Sequence, residues 1–108
     1  MIDVENEDPK QRVRELTDGR GADVVLDVSS YSTAPVADAL DLVAPGGTVV
    51  LAGVKGFRPI PDFVSDKIVM KEIRILGAIG VTSSGYRKAI ALLGSRRRPL
   101  ERMDTHDF

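Results

Sequence analysis

Ala22-Asp23-Val24-Val25-Leu26-Asp27-Val28 and Gly47-Thr48-Val49-Val50-Leu51-Ala52-Gly53 decide how this chain folds. Both are short, mostly continuous apolar runs rich in β-branched residues. Such runs suit central parallel strands covered on both faces, whereas half-buried strands alternate. A third run, Ile73-Arg74-Ile75-Leu76-Gly77-Ala78, opens with an alternation and is expected nearer an edge. Between the runs the apolar period becomes helical, so the order reads α-β-α-β-α-β-α. The expectation is an α/β fold, a three-layer parallel sheet of about three strands and about four helices joined by right-handed crossovers.

The helices carry their own punctuation. Asp8 precedes Pro9 at a first helical position, Val13 and Leu16 are three apart, and Asp18-Gly19-Arg20-Gly21 stops the helix. Ser32 or Thr33 caps a second helix with Pro35 in its first turn. Val36, Ala37, Leu40 and Val43 give its apolar face, and Pro45-Gly46-Gly47 ends it. Ser65 or Asp66 caps a short third helix through Met70. Ser83 or Ser84 starts a fourth, with Tyr86, Ala89, Ile90 and Leu93 on one face and Gly94 at the stop. The long connection from Val54 to Val64 is kept irregular by Gly56, Pro59 and Pro61. No linker, repeat or low-complexity segment divides the chain.

Composition narrows the function classes. The 108 residues are 43 % hydrophobic and 29 % charged, with a formal net charge of −1, a soluble globular balance that predicts one ordered domain. Near-neutral charge gives no field for nucleic acid or an anionic membrane. No segment approaches the ~20 apolar residues of a membrane span, and the acidic start at Asp3, Glu5, Glu7 and Asp8 is unlike a signal peptide; a cytoplasmic protein is expected. Cysteine is absent and His106 is the one histidine. Disulfides, thiolate nucleophiles and Cys- or His-rich metal sites are therefore outside this chain's means.

In an open parallel sheet, ligands bind outside the carboxyl ends of the strands. Val28-Ser29-Ser30, Ala52-Gly53-Val54 and Ala78-Ile79-Gly80 stand at those ends. Glycine in the second and third admits a ligand close to the backbone. Any one such segment is better explained by a strand that ends and turns; three aligned segments of small residues point to a groove for a flat ring. The dinucleotide fingerprint G-x-G-x-x-G is missing, because Gly19-x-Gly21 follows a helix and precedes a strand.

The ordered series Thr17-Asp18-Gly19-Arg20-Gly21-Ala22-Asp23-Val24-Val25, Pro45-Gly46-Gly47 through Gly53, Lys71-Glu72-Ile73 through Gly77, and Tyr86-x-x-Ala89-Ile90-x-Leu92-Leu93 resembles the second half of the cofactor domain of the medium-chain, zinc-type alcohol dehydrogenases. Pro99-Leu100-Glu101 and Thr105-His106-x-Phe108 continue it. The resemblance implies a partial Rossmann domain over residues 1–108 that holds the nicotinamide side of NAD or NADP. It puts Val28, Ser29, Ala52, Gly53, Val54, Ala78 and Ile79 against the ring, with backbone groups bonding its carboxamide. Ser30 departs from the glycine usual at that turn. Zinc, the proton relay and the site for a small alcohol or carbonyl substrate would belong to a catalytic domain absent here, and the glycine-rich phosphate loop, which opens the family's cofactor domain, is absent as well. A fragment, truncated product or remnant is thus expected, without dehydrogenase activity or tight NAD binding alone. The alternative is a non-catalytic half-Rossmann module acting only in subunit association.

The resemblance also implies a homodimer through the strand Ile73–Ala78, paired antiparallel across a two-fold axis, with the apolar loop Phe57–Val64 beside it. The strand beginning at Asp23 would leave an apolar edge, favouring association or marginal stability. Other candidates have plainer readings. His106 lies in a terminal connector. The Arg96-Arg97-Arg98 run caps a helix C-terminus, worth ~0.3–1 kcal/mol. Asp27 hydrogen-bonds nearby backbone rather than acting as a catalytic carboxylate, and Asp62, Asp66 and Glu72 are solvated.

Overall fold

A computed structural model of the chain describes residues 2–3 and 6–95. His106, Arg96–Arg98 and the family-like segments after them lie outside the described residues. Helix α1 spans Pro9–Leu16 with Pro9 at its first position as expected; the Asp8 side chain accepts from the Lys10 amide at 2.9 Å and caps it. The chain then turns through Asp18, Gly19 and Gly21, all at positive φ, into strand β1, Ala22–Asp27. Gly21 needs to be glycine twice over: its φ is +91°, and a Cβ there would lie 2.8 Å from the Leu42 carbonyl oxygen.

Helix α2, Ala34–Leu42, begins after Thr33 with Pro35 in its first turn. Strand β2 follows without a gap at Val43–Leu51. This differs from the sequence expectation, in which Val43 was the last helical position and the strand began at Gly47. Val43 falls three residues after Leu40, a helical spacing, yet its backbone is extended at φ −72°, ψ 139°. Ala22 pairs with Val43, but Val24 already pairs with Thr48. The Pro45–Gly47 stretch therefore bulges out of the ladder, with Gly46 at φ +72°. From Thr48 the register is regular through Leu51 opposite Asp27.

Helix α3, Asp66–Lys71, ends on Glu72 in the left-handed region at φ 54°. Strand β3, Arg74–Gly77, pairs parallel to β2, giving the sheet order β1-β2-β3. Helix α4, Ser83–Gly94, is capped by the Thr82 hydroxyl, which accepts from the Gly85 amide at 3.1 Å. The expected parallel α/β fold is present, and β3 lies at an edge; so does β1, whose continuous run was expected of a central strand, and only β2 is central among the described strands.

Helices α2 and α3 pack on one side of the sheet. Ala39, Leu40, Val43, Val49 and Ile73 form the core, with Val25, Leu51 and Ile68 packed on it. Val25, Val49 and Ile75 stand in register on this face. Lys71 binds α3 to the end of α2: its ammonium donates to the carbonyls of Leu40 at 2.7 Å, Asp41 at 3.2 Å and Val43 at 3.1 Å. Those are carbonyls that a helix end leaves without intrahelical partners. Burial, with Lys67 and Arg14 nearby, holds this ammonium below its ordinary value even though Asp41 opposes the shift. Asp41 in turn meets Lys10 at 2.9 Å and also Lys67, clipping α1, α2 and α3 together.

Among the described residues the opposite side of the sheet is largely uncovered. Val24, Leu26 and Leu76 are 61 %, 60 % and 53 % exposed. The reading of β1 as a strand covered on both faces thus does not hold among the described residues. Helix α4 buries none of its residues, and Tyr86, Ile90 and Leu93 are exposed. Phe57, Phe63 and Val64 on the long connection are likewise exposed rather than folded over a core.

Candidate functional site at the carboxyl ends of the strands

The three strands end side by side, and short backbone hydrogen bonds bind the turns that follow. The amides of Ala52 and Gly53 donate to the Asp27 carbonyl at 2.8 and 3.1 Å, and the Ala78 amide donates to Leu51 O at 2.9 Å. The Tyr31 amide reaches Val54 O at 3.1 Å. A cleft of about 270 Å³ opens between β2 and β3, lined by residues from Leu51 to Val54 and from Gly77 to Ile79. Of the residues expected at a cofactor ring, Ala52, Gly53, Val54, Ala78 and Ile79 therefore share one cleft. Val28 and Ser29 do not line it. They border a separate trough of about 350 Å³ along the outer edge of β1, together with Pro9, Pro35 and Leu42.

Ser29 nonetheless shapes the cleft from behind. A Cβ on Gly53 would lie 1.9 Å from the Ser29 carbonyl oxygen and 2.8 Å from the Val28 carbonyl carbon. Gly53 is thus required because two backbones touch, not because a ligand approaches it. Gly77 and Gly80 are different: nothing lies within 4 Å of the position a Cβ would take. The mouth of the cleft is open there, and Ile79 is 89 % exposed beside it. At the first strand end, Ser30 does not take the left-handed conformation; Tyr31 does, at φ 64°.

A polar cluster that sequence reasoning missed lies under the Ser29 turn. Asp27 is buried, and its Oδ1 accepts from the Ser29 amide at 3.0 Å and from the Ser29 hydroxyl at 2.6 Å. Its Oδ2 faces the Lys55 ammonium at 2.7 Å. No well-angled hydrogen bond reaches Oδ2, so this contact is an ion pair in the first place. Lys55 also donates to the Ser29 carbonyl oxygen and, at 2.9 Å, to the Ser29 hydroxyl. Burial alone would push the Asp27 carboxyl up; Lys55 and the Ser29 hydrogen bonds outweigh it and hold the carboxyl below its ordinary value of 3.8. Asp27 does bond the nearby backbone, as expected. Lys55 carried no local signal, because its partners precede it by more than a helix and a strand.

Among the described residues no group of three or more His, Cys, Asp or Glu is placed to hold a metal ion. None of their helices is long and apolar enough to cross a membrane. Asp62, Asp66 and Glu72 are exposed as expected.

The sequence pattern of zinc-binding dehydrogenases matches residues 1–95. The chain belongs to the zinc-binding dehydrogenase family. The chain is 46 % identical over 99 residues to a probable alcohol dehydrogenase of Mycobacterium tuberculosis, covering 91 % of itself and 27 % of that protein. It is 33 % identical over 107 residues to a sorbitol dehydrogenase of Halalkalibacterium halodurans, covering 99 % of itself and 31 % of the relative. The structure of an alcohol dehydrogenase from Thermus sp. ATN1 superimposes with a TM-score of 0.73 at 32 % identity, over 97 % of this chain and 30 % of that one. The chain thus spans less than a third of the length of these relatives.

Proposed function

We propose that this chain forms the nicotinamide side of the cofactor domain in a NAD- or NADP-linked oxidoreductase of the alcohol, polyol or threonine dehydrogenase type. The observation that carries the reading is the cleft between β2 and β3, where Ala52, Gly53, Val54, Ala78 and Ile79 meet at the sheet end where α/β proteins take their ligands. The residues fit a flat, partly polar ring. The opening at Gly77 and Gly80 leaves room, and Val54 and Ile79 offer exposed apolar surface. Backbone groups of the turns would bond the carboxamide. When bound, the nicotinamide supplies or accepts the hydride; this chain's residues hold the ring and keep water from one of its faces. Zinc does not fit these cleft residues, which carry no His, Cys, Asp or Glu side chain. A small alcohol or carbonyl compound is the substrate class of this reading.

Titrating the chain with nicotinamide mononucleotide and following amide resonances tests the site. Shifts confined to Ala52–Val54 and Ala78–Ile79 at millimolar ligand are expected. Their absence, or shifts centred on the Pro9–Pro35 trough, would overturn it. The chain alone is expected to show no dehydrogenase activity and no micromolar NAD affinity by calorimetry.

The alternative, a module serving subunit association, draws on the exposed Leu76 of β3 and the exposed Phe57 and Phe63 of the neighbouring connection. A homodimer through Ile73–Ala78 is compatible with the cofactor reading, since β3 is the last strand in the sheet order. Light scattering that returns a monomer at tens of micromolar would remove the dimer.

A further inference from the structure

We propose that Lys55 is a positioning residue: its ammonium, clamped between Asp27 and Ser29, locks the turn after β1 to the turn after β2 and thereby sets the back wall of the cleft. The ligand half of this inference rests on the nicotinamide reading above; the clamp itself does not. Lys55 and Asp27 are 12 % and 4 % exposed at their side chains. An ammonium so enclosed is held only where its partners are fixed, because an unpaired buried charge is costly. The same ammonium reaches Ser29 through both its carbonyl and its hydroxyl. It therefore spans from the residue following Val54 to the residue whose carbonyl presses on Gly53. No other side chain among the described residues links these two turns by a hydrogen bond or ion pair. Lys55 touches no cleft surface, so it acts through Gly53 and Val54 rather than on a ligand.

Amide hydrogen exchange on the whole chain reads this directly. Three amides report on the clamp: Ser29 bonded to Asp27 Oδ1, and Gly53 and Tyr31 bonded to Asp27 O and Val54 O. In Lys55→Met these should exchange faster by about tenfold or more, while Leu40 and Val49 in the core change by less than about threefold. Shifts induced by nicotinamide mononucleotide at Gly53 and Val54 should then need at least about threefold more ligand. Unchanged exchange at the three amides overturns the clamp. So does uniform acceleration along the chain, which marks Lys55 as a general stabiliser. Wild-type chain that shows the exchange pattern's protection but no ligand shifts overturns the cofactor reading and leaves the clamp standing. Should Lys55→Met strand the Asp27 charge and unfold, Asp27→Asn/Lys55→Met removes both charges, and the Gly53 and Tyr31 amides carry the same decision.

Discussion

Replacing Gly53 with alanine should damage this fold far more than its partial exposure suggests. The new Cβ would sit 1.9 Å from the Ser29 carbonyl oxygen, about 1.5 Å inside the 3.4 Å at which ordinary contact begins. The obstacle is backbone, so no rotamer change relieves it. Ser29 is itself held by Lys55 and Asp27. Opening the two turns by that amount carries the Gly53 and Ala52 amides, at 3.1 and 2.8 Å from the Asp27 carbonyl, beyond hydrogen-bonding distance. Overpacking of this kind costs ~1–3 kcal/mol, and each lost bond adds ~0.5–1.5 kcal/mol. A total of about 3 kcal/mol follows, a large part of the ~5–15 kcal/mol that holds a domain together. It should lower Tm by ~12–24 °C in a chain of this size. Thermal unfolding followed by circular dichroism measures it, with Gly77→Ala as the control: nothing lies within 4 Å of that added Cβ, so its Tm should stay within about 2 °C. If Gly53→Ala also stays within about 2 °C, the argument from touching backbones is refuted.

Lys71→Met leaves the carbonyls of Leu40, Asp41 and Val43 without their shared donor and should cost about 1–3 kcal/mol by urea unfolding; a change under about 0.5 kcal/mol would show that water replaces it freely. Asp27 and Asp41 both have carboxyls held below their ordinary value against an opposing push from burial. Their contribution is therefore full above the ordinary carboxylate range and is lost as pH falls through the lower folded values. Stability should decline on acidification below about pH 4, and Asp27→Asn should flatten that decline; an unaltered pH profile in the variant would contradict it. Leu26→Lys places a charge on the bare apolar side of the sheet and should reduce species larger than a dimer in light scattering at about 50 µM; an unchanged size distribution would mean that this side is not what self-associates.

The architecture was legible wherever a local rule decides. Asp8-Pro9 announced α1, and the switch from helical period to short β-branched runs announced the strands, although the difference between alternating and continuous runs did not separate edge from centre, since β1 and β3 are both edges. Five of the expected cleft residues come together because parallel strands of matched register must end together. What failed were places where two patterns coincide or where partners are remote. Val43 satisfies a helical spacing and a buried strand equally well, so the start of β2 was misplaced. The run Val24-Val25-Leu26 reads as covered on both sides because its composition reflects every surface it is built to meet, whether or not that surface belongs to these 108 residues. Lys55 was invisible because an ion pair with Asp27 depends on how two turns are laid side by side, which no spacing encodes.

The bulge at Pro45–Gly47 has a consequence for how this sheet can change over time. Between its Ala22 and Val24 partners, β2 spends several more residues than β1, and the regular ladder resumes at Thr48. Extra chain is thus stored at the end of the sheet remote from the cleft, and the ladder beyond it does not register how much. Insertions or deletions near Pro45 and Gly46 should be absorbed locally, whereas the turns at Ser29 and Gly53, locked backbone to backbone, have no such slack. One end of the sheet works as an expansion joint and the other as a fixed bearing, so sequence length can drift at the first without moving the second.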